Sequence, residues 1–292
     1  MLSTGPQPDQ EPWRWDDHVC VYETVFEPFT LQFADAAIAM LGLAAGQSVL
    51  DVGAGCGGAA LALARQKLRV TAIDASPRMV ERISARAAEG GLVIDARTMD
   101  GQALQFADAS FDAALSVLGV ILFPDVERGL AEMRRVVRPG GAVSLVTWTQ
   151  PERYELAAEL RAATQAATQG TTQGTTQGAT QAATEALGPD QRPAPLPAQL
   201  RYREEGDFRA LFRAQGMGEP SIATVTARLE ASSARWLAEH IGFAPGMAAT
   251  MANLGDRAAG VMERLVHNLE TRLGPGPIGL AGVAFVGTAR VP

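Results

Sequence analysis

The sequence predicts an α/β fold built on an open, doubly wound, mainly parallel sheet, and three observations carry that expectation. The run Ser48-Val49-Leu50-Asp51-Val52-Gly53-Ala54-Gly55-Cys56-Gly57-Gly58 is apolar, delivers an acid and breaks into glycines ahead of the helix formers of 59–66. It reads as strand, glycine loop and helix N-terminus, the unit that cradles a nucleotide. Strand-like and helix-like segments then alternate through nearly all of residues 48–148, which requires right-handed crossovers between parallel strands. Finally, Asp51, Asp74 and Asp100 each lie at the carboxyl end of a strand-like run, the edge where open α/β sheets bind ligands.

Composition narrows the classes. A chain of 292 residues, 47% hydrophobic, is long enough for one large domain, or for one domain with an inserted subdomain. The net charge of −7 comes without a basic stripe, so nucleic acid is not expected as a partner. No run of 18 apolar residues exists, and residues 1–10 have neither a basic start nor an apolar core, so neither export nor a membrane span is expected and the chain reads as cytoplasmic. Cys20 and Cys56 lack metal spacing and read as reduced thiols. His18, His240 and His267 are not at ligand spacing, so no metal site is expected.

The elements follow in order. Residues 1–12 are polar and proline-rich. Between Trp13 and Leu43 the chain turns aromatic, and Val25, Phe29, Phe33, Ala36 and Met40 form one helical stripe stopped by Gly42. This segment either packs on the sheet edge or folds over the ligand as a lid. The first strand and glycine loop lead to a second strand, 68–74. Asp74 at its tip either accepts both ribose hydroxyls of a nucleoside or caps the next helix, although Ser76, ahead of Pro77, is the better cap for the helix 78–88. Strands are expected at 92–99, 111–118 and 142–148. A helix from Val126 to Val137 buries Val126, Leu130, Met133 and Val137, and Arg138-Pro139-Gly140-Gly141 breaks it before the fifth strand.

The second half is of another kind. Residues 163–186 are six tetrads of the Ala-Thr-Gln-Gly type, a period that drifts around a helix and presents nothing to bury, so an expanded or weakly helical insert is expected, followed by a proline-rich linker, 188–197. Helices are expected at 206–216, 232–241 and 257–273, and strands at 222–229 and 283–289.

The glycine spacing does not name its ligand by itself. Gly53, Gly55 and Gly58 satisfy the dinucleotide pattern, whereas Asp51, Gly53, Gly55 and Gly57 satisfy the acid-x-G-x-G-x-G pattern of S-adenosylmethionine enzymes. Four motifs in order are more specific: 49–57; Val70 to Met79; Met99 to Phe106 with Ala109-Ser110-Phe111-Asp112; and Arg135 to Gly141. Together, residues 46–149 resemble class I S-adenosylmethionine-dependent methyltransferases, in the small-molecule branch with quinone and natural-product methyltransferases.

That resemblance implies a Rossmann-like seven-stranded sheet ending in an antiparallel hairpin. It implies a lid in residues 1–45, a cofactor core in 46–149, a cap insertion in 150–205 and completion of the sheet in 206–292. The cofactor would be S-adenosyl-L-methionine. Gly53, Ala54 and Gly55 would meet its methionine part, with Asp51 reaching the ammonium through water. Asp74 would hold the ribose, and Ala75, Met79, Asp100 and Gly101 the adenine side. Ser116 would lie near the amino-acid tail and Tyr22 would reach the carboxylate. Trp148 and Leu118 are expected on the acceptor pocket of a small, partly apolar metabolite, with His18 and His240 as candidate bases. The alternatives are an NAD(P)-dependent oxidoreductase and a module that binds the cofactor without catalysis. The acceptor atom and the oligomeric state are not implied.

Overall fold

The computed structural model describes residues 8–169 and 200–292. Seven strands form one sheet: β1 (Ser48–Val52), β2 (Arg69–Asp74), β3 (Ile94–Thr98), β4 (Phe111–Val117), β5 (Val137–Trp148), β6 (Ser221–Ala231) and β7 (Ile278–Arg290). The order is β3-β2-β1-β4-β5-β7-β6. The pairs from β3 to β5 are parallel, and β7 runs antiparallel to both β5 and β6. β1, at the centre of the parallel part, buries Val49, Leu50 and Val52 completely, as a strand covered on both faces must.

Helices α1 (Glu27–Leu41), α2 (Gly58–Arg65), α3 (Pro77–Glu89) and α4 (Val126–Val136) flank the parallel strands. α1 buries Phe29, Phe33, Ala34, Ala37, Ile38 and Leu41, a wider stripe than the sequence indicates, and Gly42 ends it in the left-handed conformation. Ser76 caps α3 by accepting from Met79 N at 3.2 Å, and Asp125 caps α4 by accepting from Arg128 N at 2.9 Å. The Arg-Pro-Gly-Gly segment ends α4 as expected, but it already belongs to the strand: β5 starts at Val137, and its pairing with β4 slips between Phe111 and Ala113.

Beyond β5, α5 (Glu155–Gln169) packs on α9 (Ala258–Leu273), and α6 (Glu205–Ala214), α7 (Ala234–Glu239) and α8 (Pro245–Leu254) complete the order. The last two strands are antiparallel neighbours, as expected; three helices join them, where the sequence indicates two, at 232–241 and 257–273. Leu156, Leu160 and Ala163 of α5 are buried, so the first tetrad does find something to bury, contrary to the sequence reading. The tetrads beyond residue 169 and the proline-rich stretch 188–197 lie outside the described residues. No helix among the described residues is long and apolar enough to cross a membrane.

Residues 8–26 run as short turns, Pro8–Gln10, Pro12–Trp15, Val19–Val21 and a π turn at Tyr22–Phe26, and lie over the carboxyl edge of the sheet. Asp16 Oδ1 accepts from Ser76 Oγ at 2.5 Å, Glu23 pairs with Arg82 at 2.7 Å, and Asp9 Oδ1 accepts from Gly246 N at 2.6 Å. The segment is thus tied to α3 on one side and to α8 on the other.

Candidate active site

The glycine loop is built by close approaches that exclude side chains. Gly53 has φ +68, and a Cβ there would stand 3.0 Å from Gly119 Cα. Gly55 has φ +56, and its Cβ would stand 3.1 Å from the Tyr22 ring. Gly53 N and Ala54 N both donate to Ile73 O, at 3.0 and 2.9 Å, which ties the loop to the end of β2. A buried clamp holds its far side. Glu27 Oε1 accepts from Gly58 N at 3.0 Å, while Arg86 Nη1 donates to Glu27 at 2.7 Å and to Cys56 O at 2.7 Å.

A cavity of about 660 Å³ opens over this loop. Gly53, Gly55, Asp74, Ala75, Met79, Asp100, Gly101, Tyr22 and Leu118 all line it. Asp74 Oδ2 accepts from Gly55 N and its Oδ1 from Ser76 N, both at 2.9 Å, leaving each oxygen a second lone pair for a ligand hydroxyl. Asp100 is exposed, and its Oδ1 accepts from Gln102 N at 2.8 Å. Tyr22 meets Trp15 edge-on, with centroids 5.8 Å apart.

Asp51 and Ala54 face a separate recess of about 20 Å³, which shares Tyr22, Thr30, Gly53 and Val117 with the larger cavity. That is room for about one water molecule. Asp51 Oδ2 is buried there without a hydrogen-bond partner among the described residues. Burial, reinforced by the nearby Asp74 carboxylate, pushes the Asp51 carboxyl up to about 7. Burial also raises Asp74, to about 6, against the pull of the amides of Ser76, Gly55 and Ala75. Two acids held above their ordinary range beside a glycine loop favour a ligand that brings positive charge.

A second cavity of about 470 Å³ adjoins the first and shares Asp9, Gln10, Trp15, Phe26, Leu118 and Leu122 with it. Trp148 and Tyr154 stack on its wall at 5.1 Å and 8°, and Phe26 stacks on Phe243 at 4.5 Å and 9°. Leu118 stands between the cavities with φ +61, a backbone state that costs a non-glycine residue about 1–2 kcal/mol.

Three expected residues lie elsewhere. Ser116 is fully buried and braces the backbone: its Oγ donates to Val52 O at 2.7 Å and accepts from Val120 N at 2.9 Å, so it does not line the cavity. Neither His18 nor His240 lines either cavity. His18 Nδ1 lies 2.8 Å from Arg14 O. His240 Nδ1 lies 2.8 Å from Trp236 O, and its ring stacks on the Trp236 indole at 4.2 Å. Each ring is held by the turn before it. Sequence reasoning missed Glu27 and Arg86, whose partners are 30 or more residues away, and Gly119, whose signal was its position just after β4.

Comparison with known proteins agrees with this geometry. A methyltransferase domain profile matches residues 49–141. The chain is 36% identical over 137 residues to an uncharacterised protein of Mycobacterium tuberculosis, a match covering 47% of this chain and 48% of the relative. It is 39% identical over 119 residues to the demethylmenaquinone methyltransferase of Tropheryma whipplei, covering 41% and 49%. The chain thus spans about half the length of the curated relatives it matches. Among solved structures, the [4+2]-cyclase SpnF superposes with a TM-score of 0.57 at 20% identity, covering 99% of this chain and 98% of that one. Motifs, sheet order and matched profile converge on one conclusion: residues 49–141 form a methyltransferase domain.

Proposed function

We propose that the protein transfers the methyl group of S-adenosyl-L-methionine to a small, partly apolar acceptor. The observation that carries this reading is the pair of adjoining cavities, one over the glycine loop with Asp74 and Asp100 on its wall, the other with Trp148, Tyr154 and Phe243, sharing a wall at Leu118 and Phe26. The residues fit the cofactor. Asp74 offers two carboxylate oxygens to a ribose, Asp100 an acceptor to an adenine amino group, and Asp51 a buried, unpartnered oxygen to an ammonium through one water. When bound, the sulfonium supplies an electrophilic methyl group that requires no protein nucleophile.

The chain's own task is alignment and dryness. The Glu27–Arg86 clamp fixes the loop, Leu118 and Phe26 separate and orient the two ligands, and the N-terminal turns exclude water. The small-molecule assignment is supported by the second cavity's size and by the similarity to a demethylmenaquinone methyltransferase. The structural neighbour SpnF is a [4+2]-cyclase, so the fold alone does not fix the chemistry and transfer itself is the property to measure. Incubation with methyl-labelled cofactor and a panel of phenols, amines, quinols and carboxylic acids should move label into an organic-soluble product. Cofactor binding without transfer to any member would overturn the catalytic reading.

A further inference from the structure

The acceptor cavity carries one cation. Arg161, on α5, is the sole Lys or Arg lining either cavity among the described residues, and it lines the second cavity only. Its partner is loose: Glu152 Oε1 lies 4.0 Å away, with the two side chains 48% and 76% exposed, an arrangement worth little. Arg86 and Arg135, by contrast, each hold a carboxylate oxygen at 2.7 Å. The acid at the cavities' shared wall, Asp9, is already turned onto Gly246 N. Five aromatic residues line the second cavity, four of them in two stacked pairs, Trp148 on Tyr154 and Phe26 on Phe243. In a chain of net charge −7, an uncommitted guanidinium on such a wall favours an anion locally that the whole-protein field does not attract.

We propose that the second cavity binds a planar aromatic carboxylate, its ring system against the Trp148–Tyr154 and Phe26–Phe243 stacks and its anionic group held by Arg161. This deepens the methyltransferase reading and rests on it for the role of the ligand as acceptor. An anion held by Arg161 leaves the remainder of the ring system to extend toward Leu118 and Phe26, the wall shared with the cofactor cavity.

The test uses 1-naphthoate and its neutral counterpart 1-naphthamide, titrated by calorimetry into the full chain with and without S-adenosylhomocysteine. The acid should bind about five- to tenfold more tightly than the amide, a preference that weakens with salt. Arg161→Gln should erase the preference while leaving amide binding unchanged, and Arg161→Lys should retain part of it. Equal affinities in the wild-type chain, no binding of either probe, or a preference that survives in Arg161→Gln would overturn the proposal. Failure of S-adenosylhomocysteine itself to bind would sink the methyltransferase reading instead, and the arm without it would still decide the anion site.

Discussion

Replacing Asp74 by Asn separates binding from folding. In the folded chain Asp74 accepts from Gly55 N and Ser76 N at 2.9 Å, yet burial still pushes its carboxyl up to about 6, so at pH 8 the fold bears the cost of keeping it ionised. Asn keeps one carbonyl oxygen for the backbone and carries no charge to desolvate. The unliganded fold should therefore lose no more than about 1 kcal/mol, read as a shift of the urea midpoint. The ligand loses more. A charge-assisted bond to a ribose hydroxyl is worth about 1.5–3 kcal/mol, so the Kd for S-adenosylhomocysteine at pH 8 should rise about 10- to 150-fold. Asp74→Ala, which also strands two amides, should weaken binding further and lower the urea midpoint as well. The reasoning is refuted if Asp74→Asn folds normally and binds within threefold of the wild type.

Further outcomes follow from the same geometry. Because Asp51 and Asp74 titrate near 7 and 6 when folded, above the ordinary 3.8, the unliganded protein should lose stability as pH rises from about 4 to about 7. A cationic ligand favours their ionised forms, so the Tm gain from S-adenosylmethionine should grow over that window, and Asp51→Asn should flatten it; a pH-independent gain contradicts the assignment. Arg86→Leu leaves the buried Glu27 uncompensated and should cost about 3 kcal/mol by urea unfolding, whereas the double change with Glu27→Leu should recover much of it. Gly55→Ala puts a methyl group 3.1 Å from the Tyr22 ring at φ +56 and should weaken cofactor binding, while Gly140→Ala, at φ +80 in open space, should cost about 1–2 kcal/mol of stability and leave binding intact. His18→Ala and His240→Ala should leave transfer rates within about threefold, since neither ring reaches a cavity; a hundredfold loss would restore them as bases.

The parallel half of the sheet was legible because its signals are local. The apolar run at 49–52 followed by glycines, the Ser76 cap and the break after α4 each depend on neighbours within a few residues. Asp74 and Asp100 were legible for the same reason, since a strand's end places them. Ser116 was misjudged because its hydroxyl is consumed by Val52 and Val120, a choice that packing makes. α8 was missed because Ala, Gly and Met give it no apolar stripe; its place is set by Asp9, 237 residues earlier, whose carboxylate accepts from Gly246 N in its first turn. The second cavity was unreadable, since Phe26, Tyr154, Arg161 and Phe243 meet only through the sheet's edge and the helices above it.

The central claim is that one glycine loop and the acids at the tips of β1 and β2 and just beyond β3 receive a single adenosyl ligand. Calorimetric titration of the purified chain with S-adenosylhomocysteine and, separately, with NADH tests it most directly. The account predicts saturable one-to-one binding of the first and none of the second; saturable NADH binding with no response to S-adenosylhomocysteine would contradict it.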